Sequence, residues 1–295
     1  ADIEVLTRDT WSLDLGASAG RAGGANSRGI HLKEYNLLGS GISVSLGRAK
    51  TVDRTSREVQ IANNRLFGSQ VALTIDHATR SDGQRNAAAL VLPFYALDAR
   101  RSAGVTASKD KRIDAVYVAG EVSGQYRHRQ ARGEAFGGWS DGLVDGWVRR
   151  YVAGISVADD AYAPEPGQVA PTRLPSDERL VAPFVRFELI EDRFERELNR
   201  NLVGRPEFFA LGLAARLQLG WAASALGSSR DTLLYAATLS RGFEPLRNHT
   251  LTAATTLTGQ LAGGQVRRQR LGLQAQYYLP QSKAWLFYAS AAAEV

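Results

Sequence analysis

The stretch FFALGLAARLQLGW, residues 208–221, leaves a chain little freedom of fold. Phe209, Leu211, Leu213, Ala215, Leu217, Leu219 and Trp221 fall on one side of an extended backbone. Ala210, Gly212, Ala214, Arg216, Gln218 and Gly220 fall on the other. A strict period of two is the signature of a strand with one apolar face. Soluble strands average about 5–6 residues, whereas a strand that crosses a bilayer needs about 9–11. Leu211, Leu213 and Leu217 are therefore expected to face lipid, and Arg216 and Gln218 a watery lumen.

The same alternation runs through the chain. GISVSLG sets Ile42, Val44 and Leu46 against Ser43, Ser45 and Gly47, and QVALTIDHA sets Val71, Leu73 and Ile75 against Ala72, Thr74 and Asp76. Alternating runs and turn clusters predict strands over 8–19, 28–37, 41–52, 56–63, 69–80, 86–93, 99–108, 112–130, 146–159, 179–197, 207–221, 231–241, 249–260, 267–279 and 284–294. The charge-dense ELIEDRFEREL, 188–198, reads as a strand emerging above the membrane. The proline-rich stretch 159–178 reads as a surface loop, because alternation resumes after it, and the whole chain reads as one domain.

A soluble β-sandwich and a membrane barrel both alternate. Long segments whose polar side mixes Arg, Gln and Asp with Gly and Ser favour the barrel. If the first strand rises from the periplasmic side, turns after odd strands lie outside. Those are the charged turns near 21–27, 53–55, 81–85 and 109–111. Turns after even strands, NLLGSG, NRLFGSQ and PFYALDAR, are tight and carry Leu, Phe and Tyr, as short periplasmic turns do. Asn36, Gly39, Gly41, Asn64, Gly68, Pro93 and Phe94 are the expected periplasmic turn residues.

Composition narrows the function. There is no cysteine, which excludes disulfides and thiolate metal sites and suits passage through an oxidising compartment. No run of about 18 apolar residues marks a transmembrane helix. The net charge of +6 is spread along the chain, so no nucleic-acid partner is expected. His31, His77, His128 and His249 show no ligand spacing, so no metal and no cofactor is expected. Gly138, Ser140 and Gly142 have the spacing of a nucleophile elbow, but nothing helical follows; a Gly-rich turn is the expectation, and no catalytic residue is assigned.

In order, EYNLLGSGISVSLG, ANNRLFGSQVALTI and LPFYALDARRSAGV resemble the opening hairpins of the BamA/TamA-like outer-membrane assembly and secretion superfamily. GGWSDGLVDGWVRRYVAGI resembles less characterised members. The resemblance implies an all-β, antiparallel transmembrane β-barrel of about 16 strands in the outer membrane of a Gram-negative bacterium. It implies a lateral seam between first and last strands, and a role in inserting or translocating proteins, or in exporting a passenger as patatin-like autotransporters do. The implied partners are the lipid bilayer and lipopolysaccharide, client outer-membrane or secreted proteins, and periplasmic accessory proteins. A passive pore is the alternative, and a barrel enzyme acting on lipid a more distant one.

The chain departs from that pattern in three ways. No POTRA domain precedes residue 8. SRGF, 240–243, matches the superfamily's Arg-Gly-aromatic lumen-loop motif in letters but ends a strand-like run, so it reads as a chance match. The chain stops in mid-strand at AAAEV, as a barrel lacking its C-terminal strands would. The first strand, residues 7–20, is the expected seam through Trp11, Ser12, Leu13, Asp14, Leu15 and Gly16. Its second half is Gly, Ala and Ser, which give little cross-strand packing and a loosely specified register.

Overall fold

A computed structural model describes residues 11–22, 25–200, 204, 206–282 and 285–295. The described chain is all-β, with no α-helix. The strands are β1 Leu13–Ala22, β2 Ala25–Glu34, β3 Ile42–Lys50, β4 Thr55–Asn63, β5 Ala72–Arg80, β6 Gly83–Leu92, β7 Arg101–Val118, β8 Glu121–Val144, β9 Trp147–Pro164, β10 Glu178–Glu191, β11 Phe194–Leu198, β12 Pro206–Ala210, β13 Ala214–Ala222, β14 Thr232–Phe243, β15 Thr250–Ala262, β16 Gln265–Pro280 and β17 Leu286–Glu294. Fifteen of them form one antiparallel sheet in chain order, and β11 and β12 pair separately. No described helix is long and apolar enough to cross a membrane, which says nothing of strands.

Three expectations are corrected. The charged turn near 109–111 lies inside β7, because Lys109 and Lys111 on one face and Asp110 and Arg112 on the other keep the period of two. The predicted strands 99–108 and 112–130 therefore become two much longer strands that meet at Ala119–Gly120, both with positive φ. The strand predicted over 179–197 breaks at Asp192–Arg193, and the one over 207–221 breaks at Leu211–Leu213. Between those breaks the chain makes the β11–β12 hairpin. Gly212 permits this second break: a Cβ there would sit 2.3 Å from the carbonyl oxygen of Glu191. The expected loop 159–178 is shorter, since β9 continues through Pro164.

By contacts the chain falls into two compact units, 1–91 with 105–133 and 158–178, and 92–104 with 134–157 and 179–295. In the first unit the register sets Leu15 opposite Leu32, Leu32 opposite Leu46, Leu46 opposite Val59, and Ile61 opposite both Val44 and Ile75. These side chains form one apolar face, all of them exposed except the half-buried Val44. The other face carries Ser43, Ser45, Gln60 and Asp76, and the Gln60 amide donates to Asp76 at 2.7 Å.

The second unit divides its faces in the same way. Phe187 pairs with Leu217 and Val185 with Leu219 on the apolar face. Trp139, Tyr151 and Phe187 stack in sequence there, with centroids 5.7 and 5.3 Å apart. On that face β8 carries no charge between Arg129 and Asp141, β9 none between Arg149 and Asp159, and β10 none between Arg179 and Glu191. Each of these spans is close to the ~9–11 residues of a bilayer-crossing strand. The connection 223–231 is closed by Asp231. The Ser224 backbone N–H and hydroxyl both donate to its carboxylate and hold it below the usual carboxylate range.

Candidate functional site

The expected seam strand is present from Leu13; its residues 7–10 lie outside the described ones. Ten residue pairs join β1 to β2, from Leu13 opposite Glu34 to Ala22 opposite Ala25. Among the described residues β1 pairs with no other strand, and it forms one end of the sheet order. Trp11 and Leu15 are exposed, at 93 % and 77 %. Before the strand proper, the Tyr35 N–H donates to the Ser12 carbonyl at 2.8 Å, and the Tyr35 hydroxyl reaches Asp14 at 3.5 Å. Gly16 lies under the His31 ring: a Cβ at residue 16 would stand 2.0 Å from the ring's Cε1. That position needs glycine because a neighbouring ring occupies the space.

The turns after β2 and β4 are near copies. In the first, Leu37–Gly39 makes one 3-10 turn with Leu38 at φ 52, ψ 29; in the second, Leu66–Gly68 does so with Phe67 at φ 53, ψ 34. Gly39 and Gly68 both have φ 75. Ser40 donates to the Leu37 carbonyl at 2.6 Å and Ser69 to that of Leu66 at 2.7 Å. Asn36 accepts from the Gly41 N–H at 2.7 Å; Glu34 accepts from the Asn36 N–H at 3.0 Å, as Asn63 does from the Arg65 N–H at 2.8 Å in the second turn, where Asn64 stands between them. Left-handed backbone is costly for Leu and Phe, yet both side chains are 97 % exposed. In the third such connection Pro93 and Phe94 are half-buried, Phe94 lies under the Arg150 guanidinium at 4.8 Å, and Tyr95 is the exposed ring.

Within the first unit the far halves of β7, β8 and β9 hold a polar cluster. Arg80 grips Asp110 through two bonds of 3.1 and 2.9 Å. Arg112 donates to Asp114 at 2.8 Å, His128 lies 2.9 Å from Asp114 and 3.0 Å from Asp160, and Arg132 holds both Asp160 oxygens at 2.9 and 2.8 Å. Tyr162 stacks on His128 at 4.5 Å. His128 is thus hydrogen-bonded within a network of arginines and carboxylates. The four histidines stand on or beside four different strands.

In the second unit Arg216 and Gln218 share the polar face. Arg186 donates to Gln218 at 2.7 Å and to Glu134 at 3.0 Å, while Arg216 and Arg150 both approach Glu188 at 3.6 Å. The β11–β12 hairpin covers the same face of β14–β16, a placement that sequence reasoning missed. Arg200, its side chain 1 % exposed, bonds Thr250 and Glu197 and lies over the rings of Phe209 and Tyr278 at 4.5 and 5.0 Å. Leu211 packs onto Gly242, where a Cβ would come within 2.4 Å of it. Leu211 is therefore 1 % exposed and does not stand on the outer apolar face with Leu213 and Leu217, contrary to expectation. The break at Gly212 turns it inward. The available sequence signals were Gly212 and Gly242, small residues inside otherwise regular alternation.

Ser140 lies within β8, fully buried, its hydroxyl accepting from the Gly142 N–H at 3.0 Å. It is in a strand, not in the expected Gly-rich turn. Ser240–Phe243 is the end of β14, with Arg241 5.8 Å from the Phe243 ring.

No known sequence family matches the chain, and no curated relative is similar to it in sequence. Among solved structures it is similar to BamA from Haemophilus ducreyi lacking POTRA domains 1–3, at 10 % identity and a TM-score of 0.42. That likeness covers 97 % of this chain, which spans 58 % of the length of the solved one. What stands on the strands themselves is an all-β chain whose antiparallel sheet has one apolar and one ion-paired face.

Proposed function

We propose that this chain is the wall of an outer-membrane β-barrel that inserts or translocates other proteins through a seam at β1. The observation that carries the reading is the segregation of faces. The apolar face of β8, β9 and β10 is free of charge over bilayer-crossing lengths, and rings gather at one end of it. The opposite face is held by Arg186–Glu134, Arg216–Glu188 and their neighbours. An exposed apolar surface of this extent marks a membrane or partner contact, and a lumen is where polar side chains belong in a barrel. The turn tips Leu38 and Phe67 support the same orientation, as apolar side chains at the membrane boundary.

The seam follows from β1. It is bonded along one edge only among the described residues, and its free N–H and C=O groups can template an incoming strand. In hydrocarbon such groups must find partners, so the edge either closes or accepts a client. The partners are accordingly lipid, lipopolysaccharide, client proteins and periplasmic accessory proteins, and the role is not enzymatic. The chain has no cysteine, so Ser12→Cys and Asp14→Cys report without background. With the protein in vesicles and a client under assembly, disulfides should form between these positions and a cysteine in the client's terminal strand. Undiminished client handling with β1 locked to the barrel's own last strand would sink the seam and leave a passive pore.

A further inference from the structure

Four cations stand together on β2, β3 and β4: Arg28, Arg48, Lys50 and Arg57. The register makes Arg28 directly opposite Lys50 and Arg48 directly opposite Arg57. All four are exposed. Like charges directly opposed across a ladder destabilise it, and chains usually relieve this with an interleaved acid. None is supplied here. Among the described residues no carboxylate lies within ion-pair distance of any of the four. Glu58, beside Arg57 in sequence, sits on the other face opposite Gly47, and Asp53, in the connection 51–54, accepts from the Tyr117 hydroxyl at 2.8 Å. By contrast Arg54 and Arg80, close by in the same unit, are paired with Asp82 and Asp110.

The cations also stand at a defined place on the apolar face. Ile30 is directly opposite Arg48, and below it come Leu32, Leu46 and Val59, all exposed. The cations occupy the end of the strands nearest the connection 51–54, and the apolar rows run from there toward the opposite end. Arg28, Ile30, Arg48 and Lys50 line one shallow concavity. The surface therefore reads as positive charge over hydrocarbon, in a shallow concavity. A free phosphate would meet the charge and leave the apolar rows bare. A lipid with a phosphate-bearing headgroup satisfies both at once, since cations beside an anionic headgroup and chains against apolar side chains act together.

We infer that Arg28, Arg48, Lys50 and Arg57 form a binding site for the headgroup phosphates of an anionic lipid in the leaflet at the 51–54 end of the sheet, its acyl chains lying along Ile30, Leu32, Leu46 and Val59. The inference rests on the membrane reading above.

The test uses the full chain folded into nanodiscs of phosphatidylcholine containing a minority of a diphosphorylated lipid. Lipids that stay bound on release into detergent are counted by native mass spectrometry. Wild-type protein should retain the diphosphorylated lipid in preference to phosphatidylcholine. Each Lys or Arg at an anionic surface strengthens binding about fivefold, so Arg48→Gln with Arg57→Gln should lower that preference roughly twentyfold. The double variant removes a like-charge opposition, so it should fold at least as well, and gel mobility before and after boiling checks this. Arg101→Gln, at the other end of the apolar stretch on β7, should leave the preference unchanged. Excess inorganic phosphate should not release the lipid. Retention that ignores Arg48 and Arg57, or that inorganic phosphate abolishes, overturns the lipid site while the membrane reading stands. A chain that stays out of the nanodisc overturns both.

Discussion

Strands β1 and β15 carry the same kind of alternation and stand in opposite circumstances. β15 is bonded on both edges, to β14 and β16. Its polar face is covered at one end, where Arg200 of the hairpin meets Thr250. β1 is bonded along one edge among the described residues, and Leu15 is 77 % exposed. Its polar face offers Asp14, Gly16 and Ser18, with only the His31 ring folded over the glycine. Alternation sets which way side chains point. Edges and cover set how firmly the strand is held.

The largest expected effect lies where the hairpin is seated. Leu211→Ala removes a fully buried side chain from against Gly242 and should cost about 2–5 kcal/mol. A denaturant titration followed by gel mobility would read this. Leu15→Ala on β1 should cost about 0.5 kcal/mol. Equal losses from the two substitutions would erase the distinction between covered and bare strands.

A somewhat smaller effect sharpens the face assignment beside that seat. Leu217 lies on the apolar face between Phe187 and Ala237, and Gln218 on the polar face beside Arg186. Leu217→Arg should cost about 2–4 kcal/mol in a bilayer. Gln218→Glu should be close to neutral, because Arg186 can receive the charge. If folding into vesicles suffers more from the Gln218 change, the two faces have been exchanged.

The smallest effect needs no substitution. Backbone amides of β1 should exchange with deuterium at least about tenfold faster than those of β15 in the folded protein, as expected where one edge is free. Equal protection across Leu13–Gly16 and Thr255–Leu257 would mean that β1 is as firmly bonded as an interior strand.

Most strands were legible because a period of two survives any tertiary context that keeps one face apolar. The turns after β2 and β4 were legible as well: Leu-Leu-Gly-Ser and Leu-Phe-Gly-Ser produce nearly identical dihedral angles. The hairpin was not. Residues 207–221 alternate without interruption, and alternation is blind to which sheet a residue joins. Within that run Gly212, pressed against Glu191, marks where the chain changes sheets. The length of β7 was hidden for the opposite reason. Lys109, Asp110, Lys111 and Arg112 have the composition of a turn, but they keep the period of two, the lysines outward and Asp110 and Arg112 inward, where Asp110 meets Arg80. The cations of β2–β4 are scattered along the chain, and only register gathers Arg28 with Lys50 and Arg48 with Arg57.

The strand order has a kinetic meaning. Every strand of the main sheet is a neighbour of the strand before or after it in the chain, with only the short β11–β12 hairpin set between β10 and β13. Sequence separation between partners is therefore small, loop-closure entropy is low, and low contact order favours rapid folding. The sheet can be laid down hairpin after hairpin, each new strand meeting an edge already formed. In such a sequence of events the described strands would grow from the β1–β2 pair, with one edge advancing along the chain and the other held at β1. On such a path β1 carries an unpaired edge from its first pairing onward, and among the described residues that edge is still unpaired.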